Sequence, residues 1–157
     1  MERKSGQNKF ALALSIALDA HRDQTDKAGQ PYIFHLLGVA KQATTDDEFI
    51  VGLLHDFVED GKSGVRADRL KVVKDAFGTV ISAAIDAISK KPEESRQDYI
   101  TRVAQNKLAT AVKFHDLANN SNPQRLQLLT KSEQQVLLQK YKEDIEQLNR
   151  ESKKLFS

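Results

Sequence analysis

The chain is 157 residues long, 39% hydrophobic and 29% charged, which suits one folded domain with its own core and excludes a disordered polymer. Its 24 Lys and Arg nearly balance 22 Asp and Glu, so no overall basic field marks a nucleic-acid or membrane-surface protein. The absence of cysteine excludes disulfides, thiolate zinc sites and a cysteine nucleophile. Residues Met1 to Asn8 lack the apolar region of a secretory signal, and nowhere do about 18 apolar residues run together, so the expected location is the cytoplasm.

Helical periodicity dominates between three prolines and seven glycines. Phe10, Leu14, Ala17 and Leu18 form an apolar stripe, which predicts an amphipathic helix over 8–21. A polar stretch with Gly29 leads to Pro31, placed for the first turn of a helix over about 32–43 that carries His35 among Ile33, Leu36, Leu37 and Val39. Thr45-Asp-Asp-Glu48 has the capping-box pattern and starts a helix over 46–58. Gly61 and Gly64 mark a loop, and a helix over 66–77 ends at Gly78. Thr79 opens the next, with Val80, Ile81, Ala84, Ile85 and Ile88 facing a core; further helices are expected over 96–105 and 107–118. After the break at Asn119 to Pro123, Thr130-Lys-Ser-Glu133 repeats the capping box before a last helix over 131–150, striped by Val136, Leu137, Tyr141, Ile145 and Leu148. The expectation is an all-α bundle of about seven or eight helices forming a single domain over residues 1–157, with the last helix's stripe either core or homodimer surface.

Within 50–60 an apolar run, Ile50, Val51, Leu53 and Leu54, meets His55, Asp56, Glu59 and Asp60. Ionisable groups packed against a hydrophobic run need a compensating partner. A divalent cation suits imidazole and carboxylate together, although spacing alone leaves a solvated helix end equally open. His35 and Asp116 also sit in apolar helical segments. Two imidazoles and two carboxylates can form a compact face on a divalent ion that activates water and polarises a phosphoryl oxygen. Glu59 and Asp60, one turn beyond His55-Asp56, are placed to handle protons.

The order His35, His55-Asp56, Asp116 resembles the H…HD…D pattern of the HD superfamily of metal-dependent phosphohydrolases. Three blocks are closer still to the hydrolase domain of RelA/SpoT-type alarmone enzymes: Ala20-His21…Gln24…Lys27-Ala-Gly29-Gln-Pro31-Tyr32-Ile33-Phe-His35, Leu53-Leu-His-Asp-Phe-Val-Glu-Asp60, and Val112-Lys-Phe-His-Asp-Leu-Ala-Asn-Asn120. With Asp98-Tyr99-Ile100 and Arg102-Val103, the likeness runs from about residue 8 to 126. The resemblance implies one metal ion, usually manganese, on His35, His55, Asp56 and Asp116, with Glu59 and Asp60 as the acidic pair of hydrolysis. Asn120 would lie on the nucleoside side and Lys27 would meet phosphate. The implied reaction is removal of the 3′-pyrophosphate from guanosine 3′,5′-bis(diphosphate), by a stand-alone hydrolase without a synthetase portion.

Asp26 departs from the pattern, since alarmone hydrolases commonly have Arg-Lys where this chain has Asp26-Lys27. An aspartate there would oppose a polyanion, or would accept hydrogen bonds from a different base or sugar. Two alternatives follow: a nucleotidase or pyrophosphohydrolase acting on another nucleotide, and a metal-containing nucleotide-binding sensor with weak turnover. In each case the expected partner is a small-molecule nucleotide, with no nucleic acid and no membrane. Residues His21 and His115 read as structural, Tyr99 as packing and Lys113 as a phosphate contact or an ion pair; Arg102 and Arg125 stay open between substrate and structure.

Overall fold

In the computed structural model, which describes residues 3–59 and 65–156, the run Ile50 to Leu54 is buried on every side. A helix apolar around its whole circumference has to be wrapped by others. Nine helices occur among the described residues: α1 (Arg3–Ala20), α2 (Ile33–Ala40), α3 (Asp46–Leu54), α4 (Val65–Phe77), α5 (Thr79–Ile88), α6 (Arg96–Ala104), α7 (Lys107–Asn120), α8 (Pro123–Leu126) and α9 (Lys131–Phe156). Central α3 packs against α1, α2, α5 and α7, and α9 lies over α6 and α7. The described residues contain no strand, only an isolated bridge between Thr25 and Pro31. The fold is all-α, as expected, and none of these helices is long and apolar enough to cross a membrane.

Local chemistry sets the helix starts. Thr45 Oγ1 accepts the Glu48 amide, while the Glu48 carboxylate accepts the amide of Thr44 at 2.8 Å. Ser95, Asn106 and Asn122 cap α6, α7 and α8 through their side-chain oxygens. Thr130 and Glu133 exchange both hydrogen bonds of a capping box at the head of α9. Gly78, at φ 90°, takes a left-handed conformation between α4 and α5 that favours glycine.

Three sequence expectations need correction. The helix read over 46–58 ends at Leu54, and residues 55–59 form turns. There His55 Nδ1 donates to Gly52 O at 2.7 Å, engaging the carbonyl that a continuing helix would offer to the Asp56 amide, and Phe57 N bonds Leu54 O instead. The break expected at Asn119 to Pro123 narrows to Ser121 and Asn122, because α7 runs on to Asn120 and a short helix, α8, starts at Pro123, which suits a first helical position. Val80, expected to face the core, is exposed; Leu18 and Val136, from the stripes of the first and last helices, are exposed too. Val80 and Val136 each precede a buried residue, Ile81 and Leu137, and consecutive helix positions point about 100° apart. In α9 the inward positions are Leu137, Tyr141, Asp144, Ile145 and Leu148, with the Asp144 carboxylate taking both Nε and Nη2 of Arg96.

Helices α2 and α3 approach closely at Gly52. A Cβ added to Gly52 would stand 2.9 Å from Ala40 Cα and 3.1 Å from Ala40 N, both backbone atoms that cannot swing away. Gly52→Ala therefore gains about 1 kcal/mol of helix propensity but loses about 1–3 kcal/mol to overpacking. We expect a net drop in unfolding free energy in a urea titration; an unchanged or higher midpoint would show that α2 and α3 spread freely.

Candidate metal centre

His35, His55 and Asp116 come from α2, the turn after α3, and α7, and they meet in the interior. Their exposures of 4%, 2% and 5% are those of core side chains. His35 Nε2 stands 3.1 Å from Asp116 Oδ1, and His55 Nε2 stands 3.5 Å from the same oxygen. Asp56 joins them, its Oδ2 3.1 Å from His55 Nε2 and 3.9 Å from His35 Nε2. Two ligands about 2.1 Å from one ion and at right angles to each other stand about 3.0 Å apart, so these spacings fit a shared cation. His55 supplies a second argument. Its Nδ1–H is committed to Gly52 O, and its buried Nε2 has no hydrogen-bond partner while facing two carboxylates. Without a proton there, lone pair faces lone pair; a divalent ion removes the conflict, and imidazole with carboxylate is a suitable donor set.

Other side chains hold these four in place. Tyr32, one turn before His35, donates its hydroxyl to Asp56 Oδ2 at 2.5 Å. Lys113 and Asn120 flank Asp116 on α7, Nζ donating to Oδ2 at 2.7 Å and Nδ2 to Oδ1 at 2.9 Å. Burial alone would lower the Lys113 pKa, but the Asp116 carboxylate outweighs it and the ammonium is held in its charged form. Burial alone would likewise raise Asp116, yet Lys113 and the two imidazoles keep it well below the ordinary carboxylate range. Asp56 is depressed in the same way by His55. Lys113 is thus an ion-pair partner of Asp116. Tyr99 is packing: it is buried and donates to Ile88 O at 2.6 Å, and burial pushes its phenol up to about 12.

A cavity of about 310 Å³ opens beside the cluster. Asp26, Lys27, Tyr32, Asn120 and Arg125 line its polar side, and Leu126, Leu129, Leu137 and Tyr141 its apolar side. Tyr32 and Asn120 reach from this wall to the two carboxylates, so cavity and cluster are continuous. Lys27 sits on a tight loop in which Asp26 N bonds Gln30 O, Tyr32 N bonds Gln24 O and Gly29 turns the chain at φ 80°. Asp26 closes this loop by accepting the amides of Ala28 and Gln30, and its other oxygen meets Arg125 Nη2 at 3.2 Å. Its charge is therefore compensated inside the protein, not aimed bare at the cavity.

Glu59 lies in the turn after α3, exposed, with Oε2 accepting Lys90 N at 3.1 Å. Asp60, Gly61 and Gly64 lie outside the described residues. Arg102, which the sequence left open, is structural: it bonds Glu94 and the carbonyls of Asp86, Ala87 and Ser89 at the end of α5. His21 bonds Gln24 Oε1 and stacks near Tyr32; His115 has a buried Nδ1 without a hydrogen-bond partner, and nothing in the structure assigns it a role. Sequence reasoning did not single out Tyr32 or Asn119, whose Oδ1 stands 2.8 Å from His35 Nδ1. Tyr32 precedes His35 by three positions and Asn119 follows Asp116 by three, the helical spacing at which a supporting group can be sought.

An all-α bundle that gathers His35, His55-Asp56 and Asp116 beside a cavity resembles the HD-type hydrolase domain of RelA/SpoT enzymes. The chain is 38% identical over 80 residues to the guanosine-3′,5′-bis(diphosphate) 3′-pyrophosphohydrolase of Vibrio cholerae, 48% of this chain and 10% of that protein. It is 37% identical over 79 residues to the Haemophilus influenzae protein of the same description, 48% of this chain and 11% of that one. A GTP pyrophosphokinase of Streptomyces coelicolor is 35% identical over 82 residues, 50% of this chain and 9% of that protein. The chain thus spans about a tenth of the length of these relatives. The solved structure of a metazoan ortholog of SpoT, described as hydrolysing ppGpp, shares the fold with a TM-score of 0.72 at 22% identity, covering 89% of this chain and 85% of that one. No protein-family model matches the chain.

Proton and metal compete for His55. Burial alone would lower its pKa, but Asp56 and Asp116 raise it well above the ordinary 6.5. A raised folded pKa contributes stability that is complete below the unfolded value and lost as pH climbs through the folded one. We expect the urea-unfolding free energy of the metal-free protein to fall from pH 6.5 upward, and a saturating divalent ion, replacing the proton, to abolish that fall. Metal-free stability that stays level or rises over this window would show that His55 is neutral in the fold.

Proposed function

We propose that this protein is a metal-dependent phosphohydrolase that removes the 3′-pyrophosphate from guanosine 3′,5′-bis(diphosphate), using one divalent ion, manganese first among candidates. The observation that carries the reading is the cluster of buried acceptor atoms, spaced for a shared cation and continuous with a cavity that presents Lys27 and Arg125. Similarity to proteins described as guanosine-3′,5′-bis(diphosphate) 3′-pyrophosphohydrolases supports the substrate. His35, His55, Asp56 and Asp116 would hold the ion. When bound, a divalent ion lowers the pKa of water and polarises a phosphoryl oxygen.

The chain's own residues account for the remaining steps. Lys113 and Tyr32 each occupy a carboxylate lone pair, which keeps Asp116 and Asp56 ionised and oriented. Lys27, exposed at its loop tip, meets the polyphosphate as a mobile point charge. The apolar wall of Leu126, Leu129, Leu137 and Tyr141 accommodates a planar base, with Asn120 at the ribose end. Water adds to the phosphorus attached to the ribose 3′-oxygen, the bond between them breaks, and pyrophosphate and a nucleoside 5′-diphosphate are released. Glu59 takes the proton of the attacking water, and Asp60 beside it in sequence returns one to the departing 3′-oxygen.

A second reading, hydrolysis of a different nucleotide, is favoured by Asp26 in the cavity wall. Pyrophosphate release from guanosine 3′,5′-bis(diphosphate) with manganese, measured beside nucleoside 5′-mono- and triphosphates, separates the two. We expect turnover on the bis(diphosphate), its abolition in His55→Ala, and a loss of about 10²- to 10⁴-fold in kcat in Glu59→Gln with metal binding retained. Activity on 5′-phosphates alone would establish the second reading. Tight nucleotide binding without phosphate release by the metal-loaded parent would make the protein a sensor, and full turnover by Glu59→Gln would remove that residue from the chemistry.

A further inference from the structure

Arg125 enters the site from α8, a helix of one turn fixed by the Asn122 cap and by Pro123, with Leu126 buried beneath it. Its Nη1 donates to Asn119 Oδ1 and to Asn120 Oδ1, each at 2.9 Å, and lies 2.6 Å from His35 Nδ1. Its Nη2 is anchored on Asp26 Oδ2. Nη1 carries two hydrogens and cannot serve three acceptors. If Nη1 bonded the imidazole, His35 would carry its proton on Nε2, facing Asp116, and could not ligate a cation there. If instead His35 Nδ1–H donates to Asn119 Oδ1, at 2.8 Å, both Arg125 hydrogens go to the asparagines, Nη1 and Nδ1 stand side by side as two donors drawn to the one Asn119 oxygen, and Nε2 turns a lone pair to the site.

The guanidinium also decides which way each asparagine faces. Because Asn120 Oδ1 receives Arg125, its Nδ2 is the atom directed at Asp116 Oδ1. Because Asn119 Oδ1 receives Arg125 as well as His35, its Nδ2 lies over Gly38, in the space that a Cβ there would fill. A flipped Asn119 would offer an N–H to His35 Nδ1 and select the tautomer that cannot bind metal. A flipped Asn120 would set oxygen against oxygen at Asp116.

We infer that Arg125 is a positioning residue for the metal centre, setting the His35 tautomer through Asn119 and the Asp116 orientation through Asn120, and that Asp26 serves this arrangement by anchoring the guanidinium. The inference rests on the metal reading proposed above. It gives the aspartate beside Lys27 a function that needs no contact with a nucleotide. It also differs from the bland alternatives, an Asp26–Arg125 ion pair that merely staples the loop to α8, or an arginine that simply waits for phosphate.

The test is manganese binding in the absence of nucleotide, followed by the electron paramagnetic resonance of the free ion, for the parent, Arg125→Met and Asp26→Asn, with circular dichroism and thermal melts as controls. Groups that orient metal ligands typically contribute about 10- to 100-fold in affinity, and that rise in Kd is expected for folded Arg125→Met. Asp26→Asn, which keeps the guanidinium but removes its anchor, is expected to raise Kd by a smaller factor. Parental manganese affinity in a folded Arg125→Met, with only KM for nucleotide raised, would overturn the inference and make Arg125 a substrate contact. Should Arg125→Met fail to fold, Asp26→Asn decides: weaker manganese binding sustains the inference and unchanged binding ends it. A parent that binds no manganese would end the metal reading itself, an outcome distinct from failure of the variants alone.

Discussion

The arrangement of the site answers to one constraint, the burial of two imidazoles and the Asp116 carboxylate in the helical core, with the half-buried Asp56 carboxylate against them. Ionised groups removed from water cost several kcal/mol each unless they are paired or coordinate a cation. Each of the four is accordingly engaged by a neighbour: His55 by Gly52 O, His35 by Asn119, Asp56 by Tyr32 and Asp116 by Lys113 and Asn120. The bonds on the imidazoles leave His35 Nε2 and His55 Nε2 facing Asp116 Oδ1 and Asp56 Oδ2, the same two oxygens that Asn120 and Tyr32 hold.

The bundle explains how such a cluster is held without strain. The second half of α3, Ile50 to Leu54, is apolar and buried all round, so its end delivers His55 and Asp56 directly from the core. The glycine at 52 lets α2 approach closely, bringing His35 alongside, and α7 crosses both with Asp116. At the other side, Arg66, Tyr99 and Arg102 gather the terminal carbonyls of α5, which in turn positions the Lys90 amide against Glu59. A short chain of capping bonds therefore links the packing of α4 to α6 with the acidic residue proposed to move protons.

The cavity repeats the same economy of charge. Asp26 looks out of place in a wall meant for polyphosphate, and by sequence it reverses a charge. In the fold its two oxygens are spent on two amides and a guanidinium, so it shapes the Lys27 loop and restrains Arg125. Among the described residues no hydrogen bond or ion pair holds the Lys27 ammonium, which is exposed at the loop tip.

The sequence by itself determined the fold class and most of the helices, because apolar periodicity and capping boxes are carried by nearby positions; it pointed to the four cluster residues only through the resemblance of the His35, His55-Asp56, Asp116 order to a known pattern. It also marked Lys27 and Asn120, which do line the cavity. It could not end α3 at Leu54, since that depends on an imidazole turning back to its own helix. It could not decide between phosphate and ion pair for Lys113, or between substrate and structure for Arg102. Those answers belong to tertiary structure. The Asp26–Arg125 contact joins residues 99 positions apart, and His35 to Asn119 spans 84. No local pattern encodes such a meeting: only the packing of α2, α7 and α8 brings donor to acceptor, and only that packing fixes which nitrogen of His35 carries the proton.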